Sequence, residues 1–93
     1  MATNFIGRSL TANIAEQHVD LNMGFLYTIS NDSTAVVTLS FEVASASATE
    51  LMVLKAGEAR TNLDLQIGTL YYKADANTSA VRIEGLKKKN VNY

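Results

Sequence analysis

The strictest constraint on the fold is the run 35–43, in which every second side chain is apolar. The apolar positions are Ala35, Val37, Leu39, Phe41 and Val43. A period of two is that of a β-strand with one buried face. The run 25–30 alternates in the same way. Between the two lies Asn-Asp-Ser-Thr at 31–34, whose Asn and Asp favour a tight turn. The two runs therefore predict an antiparallel hairpin.

Weaker alternating runs extend this pattern along the chain. They lie at 63–67, 70–74 and 81–84, and a short apolar run lies at 51–54. Gly57, Gly68 and the segment 75–79 separate them, and we interpret Gly68 as a break between two strands. The segment 44–49 is interpreted as a surface loop or crossover, with a short helical turn as the alternative. We therefore predict an all-β fold, a single small antiparallel β-sandwich (Ig-like or jelly-roll-like) of six to seven short strands.

The two ends carry weaker patterns than the middle. Residues 1–22 are predicted to form an N-terminal arm or an edge strand, residues 23–87 the β-sandwich domain, and residues 88–93 a polar C-terminal tail. Phe5, Ile6 and Leu10 could begin a strand at a sheet edge. The next residues, as far as Leu21, show no clean period and could be a second short strand or an arm that orders against a neighbour.

Composition narrows the classes of partner and compartment. The net charge is −1, so no overall field attracts nucleic acid or an anionic membrane, and neither is expected as a partner. Cysteine is absent, which removes disulfides and thiolate metal sites. No basic segment followed by an apolar run opens the sequence, so no secretory signal is expected. These features predict assembly in a reducing cytoplasm or stability gained in an oligomer.

Residues that could carry chemistry are few. His18 is the one histidine, and with Glu16 and Asp20 it would share a strand face that could hold a metal. We interpret this trio as a solvated polar face. No Gly-x-Ser-x-Gly motif or glycine-rich phosphate loop occurs. Glu42 and Glu84 fall on the polar sides of predicted strands. The sequence therefore predicts no catalytic, cofactor-binding or metal-binding residues, no cofactor and no enzyme activity.

The order of features from Gly24 to Leu86 resembles a known class of protein. The features are the Val/Thr-rich strand, Leu-Lys-Ala-Gly-Glu at 54–58, Gly-Thr-Leu-Tyr-Tyr-Lys-Ala at 68–74 and Val-Arg-Ile-Glu-Gly at 81–85. They resemble small structural β-sandwich proteins of tailed bacteriophage virions that decorate or cement capsids or fill tail sites. The resemblance implies a structural role in a virion assembled in the host cytoplasm.

The function expected from this resemblance is that of a capsid decoration (cement) protein. Its partner would be the major capsid protein or another virion protein, and it would itself form a trimer or other symmetric homo-oligomer. The alternatives are a tail- or fibre-associated module that binds host or glycan, and a small hydrolase. The predicted contact residues are Phe5, Ile6, Leu10, Ile14, Val19, Leu21, Tyr71, Lys87, Lys88, Lys89 and Tyr93.

Overall fold

The computed structural model describes residues 4–88, and these form seven β-strands. The strands are β1 Phe5–Ala12, β2 Gln17–Asn31, β3 Val37–Phe41, β4 Met52–Leu54, β5 Ala59–Arg60, β6 Leu65–Ala74 and β7 Ser79–Leu86. A single turn of 3₁₀ helix at Ser45–Ser47 lies in the segment predicted as loop, crossover or short helical turn. Every strand pair is antiparallel. The prediction of a small antiparallel all-β fold with six to seven strands is confirmed.

The long strand β2 holds the two halves of the fold together. The strand order is β1-β7-β2-β6-β3-β4, and β5 pairs with β2 outside this path. The first part of β2, from Gln17, pairs with β6, and its last part, to Asn31, pairs with β7 and β5. Because β2 serves both neighbours, the β1–β7 side and the β6–β3–β4 side enclose a common core. β1 lies at one edge of the sheet and β4 at the other.

Two β-bulges allow β2 to pair with strands in both halves of the fold. The first falls between Asp20 and Gly24, where Asn22 and Met23 have positive φ values of 52° and 60°. The second falls between Leu26 and Thr28. An extra residue in one strand reverses the inward and outward positions that follow it.

The core is apolar and draws on both halves of the sheet. Its fully buried members include Leu26, Ile29, Leu39, Leu70 and Ile83, all at 0% exposure. Buried positions alternate along β7 and, from Leu70 to Ala74, along β6, as the sequence pattern predicts, and Tyr72 is among them at 7%. Aliphatic side chains this deeply buried each contribute roughly 1.5–3 kcal/mol to folding.

Gly68 does not end a strand, contrary to the interpretation from sequence. β6 continues through it from Leu65 to Ala74. The Glu42 carboxylate accepts hydrogen bonds from the backbone N–H groups of Gly68 (2.9 Å) and Thr69 (3.0 Å). A Cβ on Gly68 would lie 2.9 Å from Glu42 Oε1. The glycine therefore makes room for a side chain that completes the hydrogen bonding of the strand.

Asn31 ties three segments together at the end of β2. Its side-chain amide donates to the carbonyls of Ala35 (2.7 Å), Leu54 (3.0 Å) and Lys55 (3.0 Å). Its Oδ1 accepts from the backbone N–H and the hydroxyl of Ser33. At 1% exposure it is buried. Asn31 thus ends β2 at a turn, but the predicted hairpin is wrong. β2 and β3 do not pair, because β6 lies between them in the sheet and β3 pairs with β6 and β4.

Candidate functional site: an apolar outer surface

The residues weighed as a metal site do not converge in the structure. The Glu16 carboxylate accepts from the backbone N–H of Ser45 at 3.2 and 3.3 Å. Asp20 Oδ1 accepts from the backbone N–H of Asn22 at 2.9 Å. The His18 ring lies 5.5 Å from that of Tyr71, tilted by 41°. Among residues 4–88 no group of three His, Asp or Glu side chains could hold a metal ion.

Carboxylates in this protein hold its backbone. At least five of the nine Asp and Glu side chains accept a hydrogen bond from a backbone N–H group: Glu16, Asp20, Glu42, Glu58 and Asp75. Such bonds stabilise loops in a chain that has no proline to stiffen them. Asp32 pairs with Arg82 at 3.1 Å, and its hydrogen bond and charge raise the pKa of that guanidinium. The described acidic groups are thus mostly structural.

Three large apolar side chains lie side by side on the outside of the sheet. Phe5 of β1 is opposite Leu86 of β7, and Leu86 is opposite Phe25 of β2. Directly opposed residues share a face. That face is the outer one, because Leu86 alternates with the buried Ile83 and Gly85 positions of β7. We call Phe5, Leu86 and Phe25 the outer row. Phe5 is 52% exposed, whereas Phe25 and Leu86 are half-buried.

Charged residues lie close to the outer row. Glu84 precedes Leu86 by two residues on the same face of β7. The pKa of Arg82 is raised first by its hydrogen bond to Asp32 and also by the negative charge of Glu84. Lys87 and Lys88 follow the end of β7 at Leu86, and Lys87 lines a surface depression together with Ile6 and Arg8.

Two surface depressions flank other parts of the sheet. An open groove of about 390 Å³ is lined by Ile14, Val36, Thr38, Lys73, Ala74 and Asp75. A second depression of about 310 Å³ is lined by Ile6, Arg8, Asp20, Leu21, Asn22 and Lys87. Arg8 lies on the inward-facing side of the edge strand β1 but is exposed. An inward charge on an edge strand disfavours the addition of further strands. The structure therefore opposes growth at the β1 edge and leaves its outer face available.

The contact residues predicted from sequence divide into three groups. Ile6 and Leu21 are buried at 4% and 5%, and Leu10 and Val19 pack against the core, so these side chains support the fold rather than a surface. Phe5, Ile14, Lys87 and Lys88 are exposed, and Tyr71 lies against His18 on the outside of β6. Lys89 and Tyr93 lie outside the described residues.

Sequence reasoning missed Phe25 and Leu86 as residues of the outer face, whereas it placed Glu84 on the polar side of its strand. Phe25 was grouped with Ile29 on one face of a single alternating run. The bulge between Leu26 and Thr28 separates them, so that Ile29 is buried and Phe25 lies on the outer face. The signal that could have identified the outer row is the pairing register, which places Phe5, Leu86 and Phe25 side by side.

These features describe a small antiparallel β-sandwich whose described residues present an apolar outer surface and no convergent catalytic groups. No protein-family model matches the chain. No curated protein matches it either. Among solved structures it is similar to the core of Drosophila NLP, at 23% identity and a TM-score of 0.49, over 88% of this chain and 95% of that one. The crystal structure of that core concerns pentamer formation and histone binding. Within residues 4–88 no helix is long and apolar enough to span a membrane.

The prediction of a capsid decoration protein, with its tail- or fibre-associated alternative, is wrong. The similar structure is a histone-binding core, and no virion protein is found by these comparisons. The expected structural role in a bacteriophage virion is wrong for the same reason, and a capsid partner has no support.

Proposed function

We propose that this chain is a non-catalytic β-sandwich module that works by protein–protein contact and associates with copies of itself. The observation that carries the proposal is the outer row: Phe5, Leu86 and Phe25 lie side by side across three strands, with Phe5 52% exposed and the other two half-buried. Aromatic and aliphatic side chains in a contiguous exposed group are typical of interfaces.

The described chemistry supports a role in contact rather than in turnover. His18 has Tyr71 as its aromatic neighbour, and most carboxylates are occupied by backbone N–H groups. General acid–base catalysis needs a titrating group within reach of a substrate and of an orienting partner. The described residues place no such pair in either depression. The proposed function does not include histone binding. The net charge of this chain is only −1, and most of its acidic side chains accept hydrogen bonds from its own backbone N–H groups.

Sedimentation equilibrium of the purified full chain tests the proposal. We expect a mass at least twice that of a single chain between roughly 10 and 200 µM, the range typical of a modest interface. A chain that remains monomeric throughout this range would overturn self-association. The non-catalytic role is tested separately with His18→Ala, which we expect to leave assembly unchanged. A hydrolytic activity of the wild-type chain that this substitution abolishes would overturn it.

A further inference from the structure

The depression of about 310 Å³ beside the first bulge of β2 brings together three charged side chains from distant parts of the chain. Arg8 comes from β1, Asp20 from β2, and Lys87 follows the end of β7. The sheet order β1-β7-β2 is what places these three segments side by side. The other lining residues are Ile6, Leu21 and Asn22.

The backbone of the bulge shapes one wall of this depression. Asn22 and Met23 have φ values of 52° and 60°, a left-handed conformation that is unfavourable for residues with a side chain and is concentrated at functional sites. Gly24 follows, and a Cβ there would lie 2.6 Å from Ile6 Cδ1 and 2.9 Å from the Leu21 carbonyl oxygen. The bulge therefore closes directly onto Ile6 and Leu21, which are buried at 4% and 5% and form an apolar floor.

The two cations of the depression are not neutralised within the part of the chain that the structure describes. Among residues 4–88 the one ion pair joins Arg82 to Asp32. Neither the Arg8 guanidinium nor the Lys87 ammonium shares in it, and both side chains are exposed. With two positive charges and one negative charge, from Asp20, the lining has a net charge of +1.

These groups match a small oxyanion of low charge. A guanidinium can donate two parallel hydrogen bonds to a carboxylate, and an ammonium adds a compact positive charge. The Asp20 carboxylate is held in the depression, because its Oδ1 accepts from the Asn22 N–H at 2.9 Å. A fixed negative charge repels a doubly charged ligand more strongly than a singly charged one. The volume is at the lower end of the range for small-molecule sites, about 300–1,000 Å³.

We propose that this depression binds a small organic carboxylate, which Arg8 and Lys87 hold while Asp20 disfavours doubly charged anions. The apolar part of the ligand rests against Ile6 and Leu21. The site is separate from the outer row, because Ile6 and its neighbour Phe5 point to opposite faces of β1. The proposal therefore does not depend on self-association.

Titration of the ¹⁵N-labelled full chain with sodium butyrate at pH 7 and constant ionic strength tests the site. We expect saturable chemical-shift changes at the amides of Arg8, Asn22 and Lys87, with a dissociation constant of about 1 mM, as befits a ligand of few atoms. Arg8→Gln should raise this constant about tenfold, and Lys87→Gln about threefold. Sodium sulfate, a doubly charged oxyanion, should bind wild type about threefold more weakly than butyrate.

Asp20→Asn isolates the effect of the negative charge. The amide oxygen can still accept from the Asn22 N–H, so the bulge keeps its hydrogen bond. We expect this variant to bind butyrate about threefold more tightly and to lose the preference for butyrate over sulfate. Sulfate binding to wild type as tightly as butyrate would overturn the role given to Asp20.

Matched controls come from other parts of the surface. Lys73→Gln changes the lysine of the other groove and should leave butyrate binding unchanged. Phe5→Ser, on the opposite face, should also leave it unchanged, whatever it does to the oligomeric state. The proposal fails if sodium chloride at equal ionic strength produces the same shifts, if no saturation occurs by about 20 mM butyrate, or if Arg8→Gln binds as wild type does.

Discussion

Replacing Asn31 by Ala tests how the three segments at the end of β2 are held. The substitution removes the donor to the carbonyls of Ala35 and Leu54, both buried bonds, and to that of Lys55, which is part-buried. A buried acceptor left without a donor costs about 1–3 kcal/mol. With two buried carbonyls affected and the acceptor for Ser33 also lost, we expect a loss of about 3 kcal/mol. At roughly 4–8 °C per kcal/mol, Tm should fall by roughly 12–24 °C.

The assay is urea unfolding followed by circular dichroism, with the m-value verifying that the denatured state is unchanged. Asn77→Ala is the matched control, because Asn77 accepts one exposed bond from the Ile14 N–H. We expect its loss to be below about 1 kcal/mol. If Asn31→Ala lies within about 0.5 kcal/mol of wild type, Asn31 does not hold these segments and the reasoning fails.

Three further predictions concern the backbone and one buried charge. Asn31→Asp places a carboxyl group against three carbonyl oxygens, which raises the pKa of that carboxyl above the usual value of about 3.9. The folded state then binds more protons than the unfolded state, so the variant should gain stability as pH falls from 7 toward 4. Urea titrations at several pH values measure this change in stability. Gly85→Ala would place a Cβ against the Phe25 carbonyl oxygen and 2.8 Å from Leu26 Cα, and should lower the free energy of unfolding by more than about 2 kcal/mol. Gly57→Ala, in open space but at φ 76°, should lower it by only about 1–2 kcal/mol. Equal losses for the two variants in urea unfolding would contradict this. Glu42→Ala removes the hydrogen-bond acceptor for two backbone amides of β6, so amide hydrogen exchange at Gly68 and Thr69 should accelerate while that at Tyr72 does not. Unchanged protection at Gly68 and Thr69 would show that water replaces the carboxylate.

The sequence predicts the strands better than it predicts their faces. Alternation locates β3, β6 and β7 because a period of two is a local property of the chain. Bulges are not local in this sense. The inserted residue near Tyr27 becomes evident only when β2 is set against β7, and a shift of one residue reverses which side chains are buried. Gly68 shows the same limit, because its role depends on Glu42, which is remote in sequence and hydrogen-bonded to its N–H.

The second bulge of β2 connects the core to the outer row. In an unbroken strand, Phe25 and Ile29 would share one face, and Leu26 would lie on the other. The inserted residue allows Leu26 and Ile29 both to be fully buried while Phe25 stays outside. The geometry that fills the core therefore also places an aromatic ring beside Leu86. The fold and the proposed interface thus depend on the same irregularity in one strand.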